Sequence, residues 1–144
     1  MTTRTFSVAE ATAEHFHAIV EIERATGEGS VVALTEGAAL QQALDRGHWL
    51  AVALDGEAVS GWIWFSIELG RSGEYVGQIF RVAVPQDARR AGVGTALIDH
   101  ANMVFAERVV ASVRITVSSG DEGARLFFEA AGYAPEALTM ERRL

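Results

Sequence analysis

Three apolar segments follow one another in the middle of the chain, separated only by short turns. They are the continuous run 48–54, the alternating run 58–69 and the run 75–84. The pair Asp55-Gly56 between the first two is a strong hairpin signal, and Gly70 to Gly73 marks a second turn. Pro85 ends the third segment because proline cannot donate to a strand ladder. The segments therefore predict three consecutive antiparallel strands.

Helical patterns flank these strands on both sides. We expect helices at 12–26 with Thr12 as N-cap, at 35–46, at 93–107 and from Asp121 to about Ala131. Short strands are expected at 5–9 and 112–118, and the weakly alternating tail 133–144 predicts one or two more. The order β-α-α-β-β-β-α-β-α-β, without a visible linker, predicts a single α/β domain over residues 1–144 with a largely antiparallel sheet and about four helices.

Composition excludes several classes of function. The chain has no cysteine, and its four histidines are scattered, so we expect no metal site. The net charge of −7 disfavours nucleic acid as a partner. Neither a signal peptide nor an apolar run of membrane-spanning length is evident, so we expect a cytoplasmic protein with no membrane association.

The segment from Gln78 to Thr95 carries the chemistry. A strand leads into a loop with Arg89, Arg90 and Gly92, and the loop leads directly into a helix. The first N–H groups of a helix have no partner within it, and glycine lets a ligand approach the backbone. With the two arginines, these groups predict a phosphate site. A P-loop would need Gly-Lys-Ser/Thr, which the segment lacks.

The pattern Arg89-x-x-Gly92-x-Gly94 resembles the signature of the GNAT superfamily of N-acetyltransferases. The resemblance implies a sheet splayed between its fourth and fifth strands, acetyl-CoA as cosubstrate, and an amine as acceptor. It also implies a backbone oxyanion donor at Val82. The implied cofactor contacts are Val82, Val84, Arg89, Arg90, Gly92, Val93, Gly94, Thr95, Asp121 and Phe128.

The last two of these contacts come from a second similar motif, Asp121-x-x-Ala-x-x-x-Phe128-Glu-x-x-Gly-Tyr133, and Met140 to Leu144 is similar to the family's last strand. Two residues depart from the pattern. Phe128 stands where the family places a tyrosine general acid, and Gln78 stands where a glutamate base sometimes lies. Glu74, Glu68 and Tyr75 are alternative candidates for the base, of which Glu74 is preferred, and each is equally compatible with a surface role. Tyr133 is interpreted as core packing.

The acceptor half of the site is less defined. Trp62 and Trp64 either line an acceptor pocket or pack beneath a helix, and Glu28 and Glu36 either attract an amine or lie in a solvated loop. The leading hypothesis is acetyl transfer to a primary amine of a small molecule or peptide. The alternative is a non-catalytic acyl-CoA sensor or interaction domain. A homodimer is expected only by resemblance.

Overall fold

The computed structural model describes residues 6–27, 30–89, 91–117, 120–137 and 140–144. Its elements in chain order are β1 (Ser7–Glu10), α1 (Ala13–Thr26), α2 (Val31–Leu34), α3 (Ala38–Asp45), β2 (Trp49–Asp55), β3 (Ala58–Leu69), β4 (Tyr75–Ala83), a 3-10 turn (Gln86–Ala88), α4 (Val93–Glu107), β5 (Val110–Ile115) and α5 (Glu122–Ala130). The predicted α/β class and the mixed sheet are confirmed.

The five strands lie in the sheet in chain order. The first three pairings are antiparallel, and β4 pairs with β5 in parallel. That last pairing ends at Ile79 and Ile115, whereas β4 remains paired with β3 as far as Ala83. The final residues of β4 therefore have one open edge, and the sheet is splayed there as expected.

An extra residue in β4 changes which face of the sheet its side chains occupy. Trp64 pairs with Arg81 and Phe65 pairs with Ile79, so Phe80 is a bulge. Side chains alternate along a strand, and one inserted residue reverses the alternation. Ile79 consequently packs on one face, whereas Ala83 packs on the opposite face.

Each face of the sheet carries its own core. On one side, α4 and α5 cover a cluster that includes Ile63, Phe65 and Leu97. On the other side, α1, α2 and α3 cover a cluster that includes Ile19 and Trp62, each fully buried. Both faces of β3 thus carry apolar side chains, which holds the strand between two layers of helices.

The second predicted helix begins later than expected. Glu36 and Gly37 have positive φ values of 50° and 93°, so a helix cannot run through them, and α3 starts at Ala38. The Thr35 hydroxyl still accepts a hydrogen bond from the Ala39 N–H at 3.2 Å. The short α2 before this turn was not predicted.

The predicted final strands are wrong for the described tail. Residues 133–137 and 140–144 form no strand. Met140 and Leu144 are 84% and 109% exposed, and charged residues separate them, so the tail has no apolar face to lay on a sheet. Pro135 also lacks the N–H that a ladder needs.

Candidate active site

The open edge of β4 presents the backbone of Val82. A methyl group built on Gly61 of β3 would lie 3.0 Å from the Ala83 carbonyl oxygen, so the backbone of Ala83 faces β3. Consecutive residues of a strand direct their backbone groups to opposite edges. The N–H and C=O of Val82 therefore face the open edge, where β5 no longer pairs. The Val84 carbonyl, two residues on, accepts a hydrogen bond from Arg89 Nε at 3.2 Å.

The beginning of α4 lies beside this edge. Its N-cap, Gly92, has a φ of 83°, and no atom would lie within 4 Å of a Cβ placed on it. No side chain in the described part of the protein caps the helix, and Gly92 accepts its intrahelical bond from the Ala96 N–H at 3.0 Å. The N–H groups of residues 93–95 are thus available to an anion, at the positive end of a 15-residue helix.

Gly94 serves packing within the protein. A Cβ on this residue would lie 3.2 Å from the ring of Phe127 in α5 and 3.9 Å from Val84. The absence of a side chain therefore allows α5 to approach the first turn of α4. Asp121 begins α5 as expected, because its carboxylate accepts a hydrogen bond from the Ala124 N–H at 2.9 Å.

These elements enclose a cavity of about 620 Å³, which we call the splayed cleft. Its lining includes nine of the expected contacts: Val82, Val84, Arg89, Gly92, Val93, Gly94, Thr95, Asp121 and Phe128. Phe128 is 8% exposed and packs edge-on against Phe127 and Tyr133, with ring centroids 5.1 and 5.5 Å away. The structure thus brings these residues to one cleft large enough for a cofactor-sized ligand.

Several expected site residues are not placed in this cleft. Arg90 and Glu28 lie outside the described residues. Glu74 precedes β4 at the opposite end of the strand from Val82, roughly 26 Å away at about 3.3 Å per residue. Its Oε2 is buried, without a hydrogen-bond partner among the described residues. The geometry does not bring Glu74 to the cleft, so it is not retained as the base.

A second, smaller cavity of about 130 Å³ lies on the other side of Arg81. We call it the aromatic pocket, and it is lined by Glu23, Ser30, Val31, Val32, Trp62, Trp64, Phe80 and Arg81. Arg81 also lines the splayed cleft, as does Thr26 at the end of α1. The two cavities therefore adjoin at this arginine.

A buried carboxylate fixes Arg81 in place. Glu23 is fully buried; its Oε1 accepts from Arg81 Nε and from Trp62 Nε1, both at 2.9 Å, and its Oε2 accepts from Arg81 Nη2 at 3.1 Å. Arg81 Nη2 also donates to Thr26 Oγ1 at 3.3 Å. A Cβ on Gly27 would lie 2.8 Å from Glu23 Oε2, so only glycine fits beside the pair. This bidentate arrangement holds the guanidinium rigidly.

The rings of Trp62, Trp64 and Phe80 line the aromatic pocket, and His48 packs against two of them. The bulged Phe80 stacks on His48 with centroids 5.2 Å apart and lies 5.1 Å from Trp64. Trp64 Nε1 donates to His48 Nδ1 at 3.0 Å. Trp62 is buried and donates to Glu23 of α1, so its packing beneath a helix is observed. Trp62 and Trp64 both line the pocket, and a role of this pocket in binding an acceptor stays a prediction. Glu36 lines neither cavity and pairs with Arg24 at 3.4 Å.

Sequence reasoning missed Glu23, Phe80 and Arg81. Two of them carried a signal: Arg81 is a charge within an apolar strand, and Glu23 adjoins apolar positions of an amphipathic helix. The ion pair joins Glu23 to Arg81, which are 58 positions apart, and it depends on the bulge at Phe80. A local sequence pattern reveals neither the distant partner nor the bulge.

Burial raises the pKa of the Tyr133 hydroxyl above its ordinary value. The phenol therefore stays protonated through the neutral range. Tyr133 packs on the core side of Phe128 and does not line the splayed cleft, as its interpretation as packing requires. Among the described residues, no cluster of acidic and histidine side chains suits a metal ion, and no helix is long and apolar enough to cross a membrane.

The sequence model of the Acetyltransferase (GNAT) family matches residues 14–133, and the chain belongs to this family. It is therefore an acetyltransferase of the N-acetyltransferase class.

Solved structures confirm the fold. A transcriptional regulator from Bacillus halodurans C-125 is similar with a TM-score of 0.84 and 19% identity, over 97% of this chain and 100% of that chain. A ribosomal-protein-alanine N-acetyltransferase from Brucella melitensis biovar Abortus 2308 has a TM-score of 0.81 and 19% identity over the same shares. An aminoglycoside acetyltransferase from an uncultured soil metagenomic sample, in complex with sisomicin, has a TM-score of 0.76 and 16% identity, over 96% of both chains. No curated protein sequence matches the chain significantly.

Proposed function

We propose that this protein binds acetyl-CoA in the splayed cleft and catalyses direct transfer of the acetyl group to the primary amine of a small molecule or peptide, in the cytoplasm and as a single catalytic domain. One observation carries the proposal. The open edge at Val82 and the uncapped start of α4 line the same cleft of about 620 Å³. Family membership supports acetyl-CoA as the cosubstrate.

The residues of the cleft fit the parts of coenzyme A. The free N–H groups of residues 93–95, with Arg89 and Arg90, would hold the pyrophosphate. The Val82 carbonyl and the backbone of Val84 would pair with the amides of the pantetheine arm, and the apolar face of Phe128 would cover it. When bound, the cosubstrate supplies a thioester carbonyl that an amine can attack.

Catalysis would rely on a backbone N–H group to stabilise the oxyanion and on an amine that is already neutral when it attacks. The Val82 N–H would donate to the acetyl oxygen as negative charge develops there. Phe128 cannot donate a proton, but a thiolate with an ordinary pKa of about 8.5 can leave without full protonation. Two carboxylates line the described cavities, Asp121 and Glu23, and both are engaged in hydrogen bonds. The amine would therefore lose its proton to solvent.

An assay of free thiol release at pH 7 and pH 9 tests this function. The purified protein would receive acetyl-CoA with α-amino compounds, lysine side chains, polyamines or aminoglycosides. We expect turnover with one class and a rate that rises towards pH 9, because the fraction of neutral amine rises with pH. A rate already level at pH 7 would contradict the absence of an internal base. Binding of acetyl-CoA without turnover on any amine would favour the sensor alternative, and failure to bind acetyl-CoA would overturn both.

The homodimer expected from the resemblance stays a prediction. Light scattering of the protein in solution would measure the mass directly, against 15.5 kDa for one chain.

A further inference from the structure

We propose that the acceptor carries a carboxylate beside its primary amine, and that Arg81 binds this carboxylate at the junction of the aromatic pocket and the splayed cleft. The acceptor class would be α-amino acids with a small apolar or aromatic side chain. This inference deepens the proposed acetyl transfer and rests on it.

The first observation is the unused part of the guanidinium. Arg81 directs Nε and Nη2 at Glu23 and Thr26, whereas no described residue accepts a hydrogen bond from Nη1. The side chain is 36% exposed although its partner is fully buried. Arginine presents five N–H donors in a fixed fork, so anchoring one edge leaves donors directed outward in a defined geometry. Carboxylates are the groups that such donors bind best.

The second observation is the place of these donors. Arg81 lines both cavities and directly precedes Val82, the expected oxyanion donor. An amine that attacks near Val82 must therefore come close to the guanidinium. The arginine would hold a carboxylate attached to the same carbon as the amine, with the amine still able to reach the open edge of β4.

The third observation concerns charge. Both oxygens of Glu23 already accept hydrogen bonds from Arg81 and Trp62, so the carboxylate is poorly placed to bind an ammonium group as well. The exposed charge at the junction is that of the arginine. The Glu23–Arg81 pair is neutral as a whole, but its exposed side presents N–H donors. A carboxylate can accept hydrogen bonds from these donors, whereas the cations of a polyamine or an aminoglycoside cannot.

The fourth observation concerns shape. Trp64, Phe80 and Val32 give the aromatic pocket apolar walls, and its volume is about 130 Å³. A cavity of about 150 Å³ is known to admit one benzene ring. The pocket therefore suits a side chain no larger than a single ring, such as that of leucine or phenylalanine.

The experiment compares three acceptors that differ only at the carboxylate: phenylalanine, phenylalaninamide and phenethylamine. We expect kcat/KM for phenylalanine, calculated per neutral amine, to exceed that for the other two by about 10- to 100-fold, the usual range for a charge-assisted hydrogen bond. The amide is the stricter control. A carboxylate holds the neighbouring amine protonated, so amine basicity alone would favour the amide.

Two variants attribute the preference to Arg81. Arg81→Lys retains a cation for Glu23 but loses the fork, and the double variant Glu23→Gln with Arg81→Gln leaves no unpaired buried charge. Both are expected to reduce the preference for phenylalanine by at least about tenfold, mainly through KM. The surface variant Arg125→Gln is the control. An equal fall in kcat for all three amines would show that Arg81 acts on the thioester, and it would overturn the inference.

A binding measurement separates this inference from the proposed function. Calorimetry on the CoA-saturated protein would compare N-acetylphenylalanine with N-acetylphenethylamine, and the acid is expected to bind at least about tenfold more tightly. That preference without turnover of any amine would support the carboxylate site and overturn acetyl transfer. Turnover without a preference in either readout would overturn the carboxylate site alone.

Discussion

The splayed cleft and the aromatic pocket adjoin at Arg81 but are built differently. Most of the cleft comes from the continuous segment 82–95, with α5 closing one side. The pocket is assembled from α1, α2, β3 and β4, and its central hydrogen bonds join residues 39 and 58 positions apart. The proposed cofactor side is therefore determined by a local motif, whereas the proposed acceptor side forms only when segments distant in sequence come together.

The largest effect should come from removing the cation of the buried pair. Arg81→Met leaves the Glu23 carboxylate buried without its main partner, which we expect to cost about 3–5 kcal/mol of unfolding free energy. Urea denaturation would measure it. The matched control is Arg125→Met, because Arg125 pairs with Glu122 at 3.4 Å on the surface, and exposed pairs contribute about 0–1 kcal/mol.

A further variant sharpens this comparison. Glu23→Leu combined with Arg81→Met removes both charges, and we expect it to regain most of the lost stability, because an apolar replacement of a buried pair is often neutral. A loss equal to that of Arg81→Met alone would show that the pair stabilises the fold beyond compensating its own burial.

The next effect concerns the cleft. Gly92→Ala places a methyl group in open space beside the free N–H groups of α4 and strains a residue with a φ of 83°. We expect acetyl-CoA affinity to fall by about 10- to 100-fold, the loss expected for one or two hydrogen bonds to a charged group. Calorimetric titration with acetyl-CoA would measure it.

Gly56→Ala is the control for that variant. Gly56 has a φ of 64° and equally open surroundings, but it lies in the hairpin between β2 and β3. Both substitutions carry a similar backbone penalty, of the order of 1 kcal/mol, and only the first should weaken binding. Equal affinities of the two variants for acetyl-CoA would show that the start of α4 does not bind the cosubstrate.

The sequence was sufficient for most of the framework. β3 and α4 have the predicted bounds, because Asp55-Gly56 defines the hairpin and Gly92 starts the helix. Most of the expected cleft residues lie between positions 82 and 95, and Asp121 and Phe128 lie in a second motif, so two local motifs were enough to name them. The tail, residues 133–144, contains neither a turn signal nor a motif of its own. Its weak alternation of apolar and polar residues was therefore not enough to predict a strand.

The aromatic pocket could not be predicted for a specific reason. Without the bulge at Phe80, strict alternation would place Arg81 on the same face as Ile79, against α4. The inserted residue moves Arg81 to the face covered by α1, where Glu23 lies buried. A bulge depends on how two strands pair, and the amino-acid sequence of β4 alone does not indicate one.

A smaller effect is expected at the pocket wall. Phe80→Ala removes the ring that stacks on His48, and aromatic contacts contribute about 0.5–1.5 kcal/mol, so KM for the amine should rise by about 2- to 10-fold. KM for acetyl-CoA should not change. Tyr75→Ala, an exposed ring at the other end of β4, is the control and should alter neither constant. A rise in both KM values after Phe80→Ala would mean that the two cavities are not energetically separate.

The smallest effect is expected at Tyr133, the phenol closest in sequence to the missing tyrosine. A general acid contributes about 10²- to 10⁴-fold to a rate, so a change in kcat of less than about twofold in Tyr133→Phe would show that Tyr133 is not the acid.

The role of Tyr133 should appear instead in the stability of the fold at high pH. Because burial raises its pKa, the folded protein favours the neutral phenol, and this contribution is complete below the ordinary pKa of about 10 and is lost as the pH rises above it. The variant should therefore lose less stability than the parent above pH 10 in denaturation curves. A large fall in kcat would instead place a proton donor behind Phe128 and extend the splayed cleft into the core.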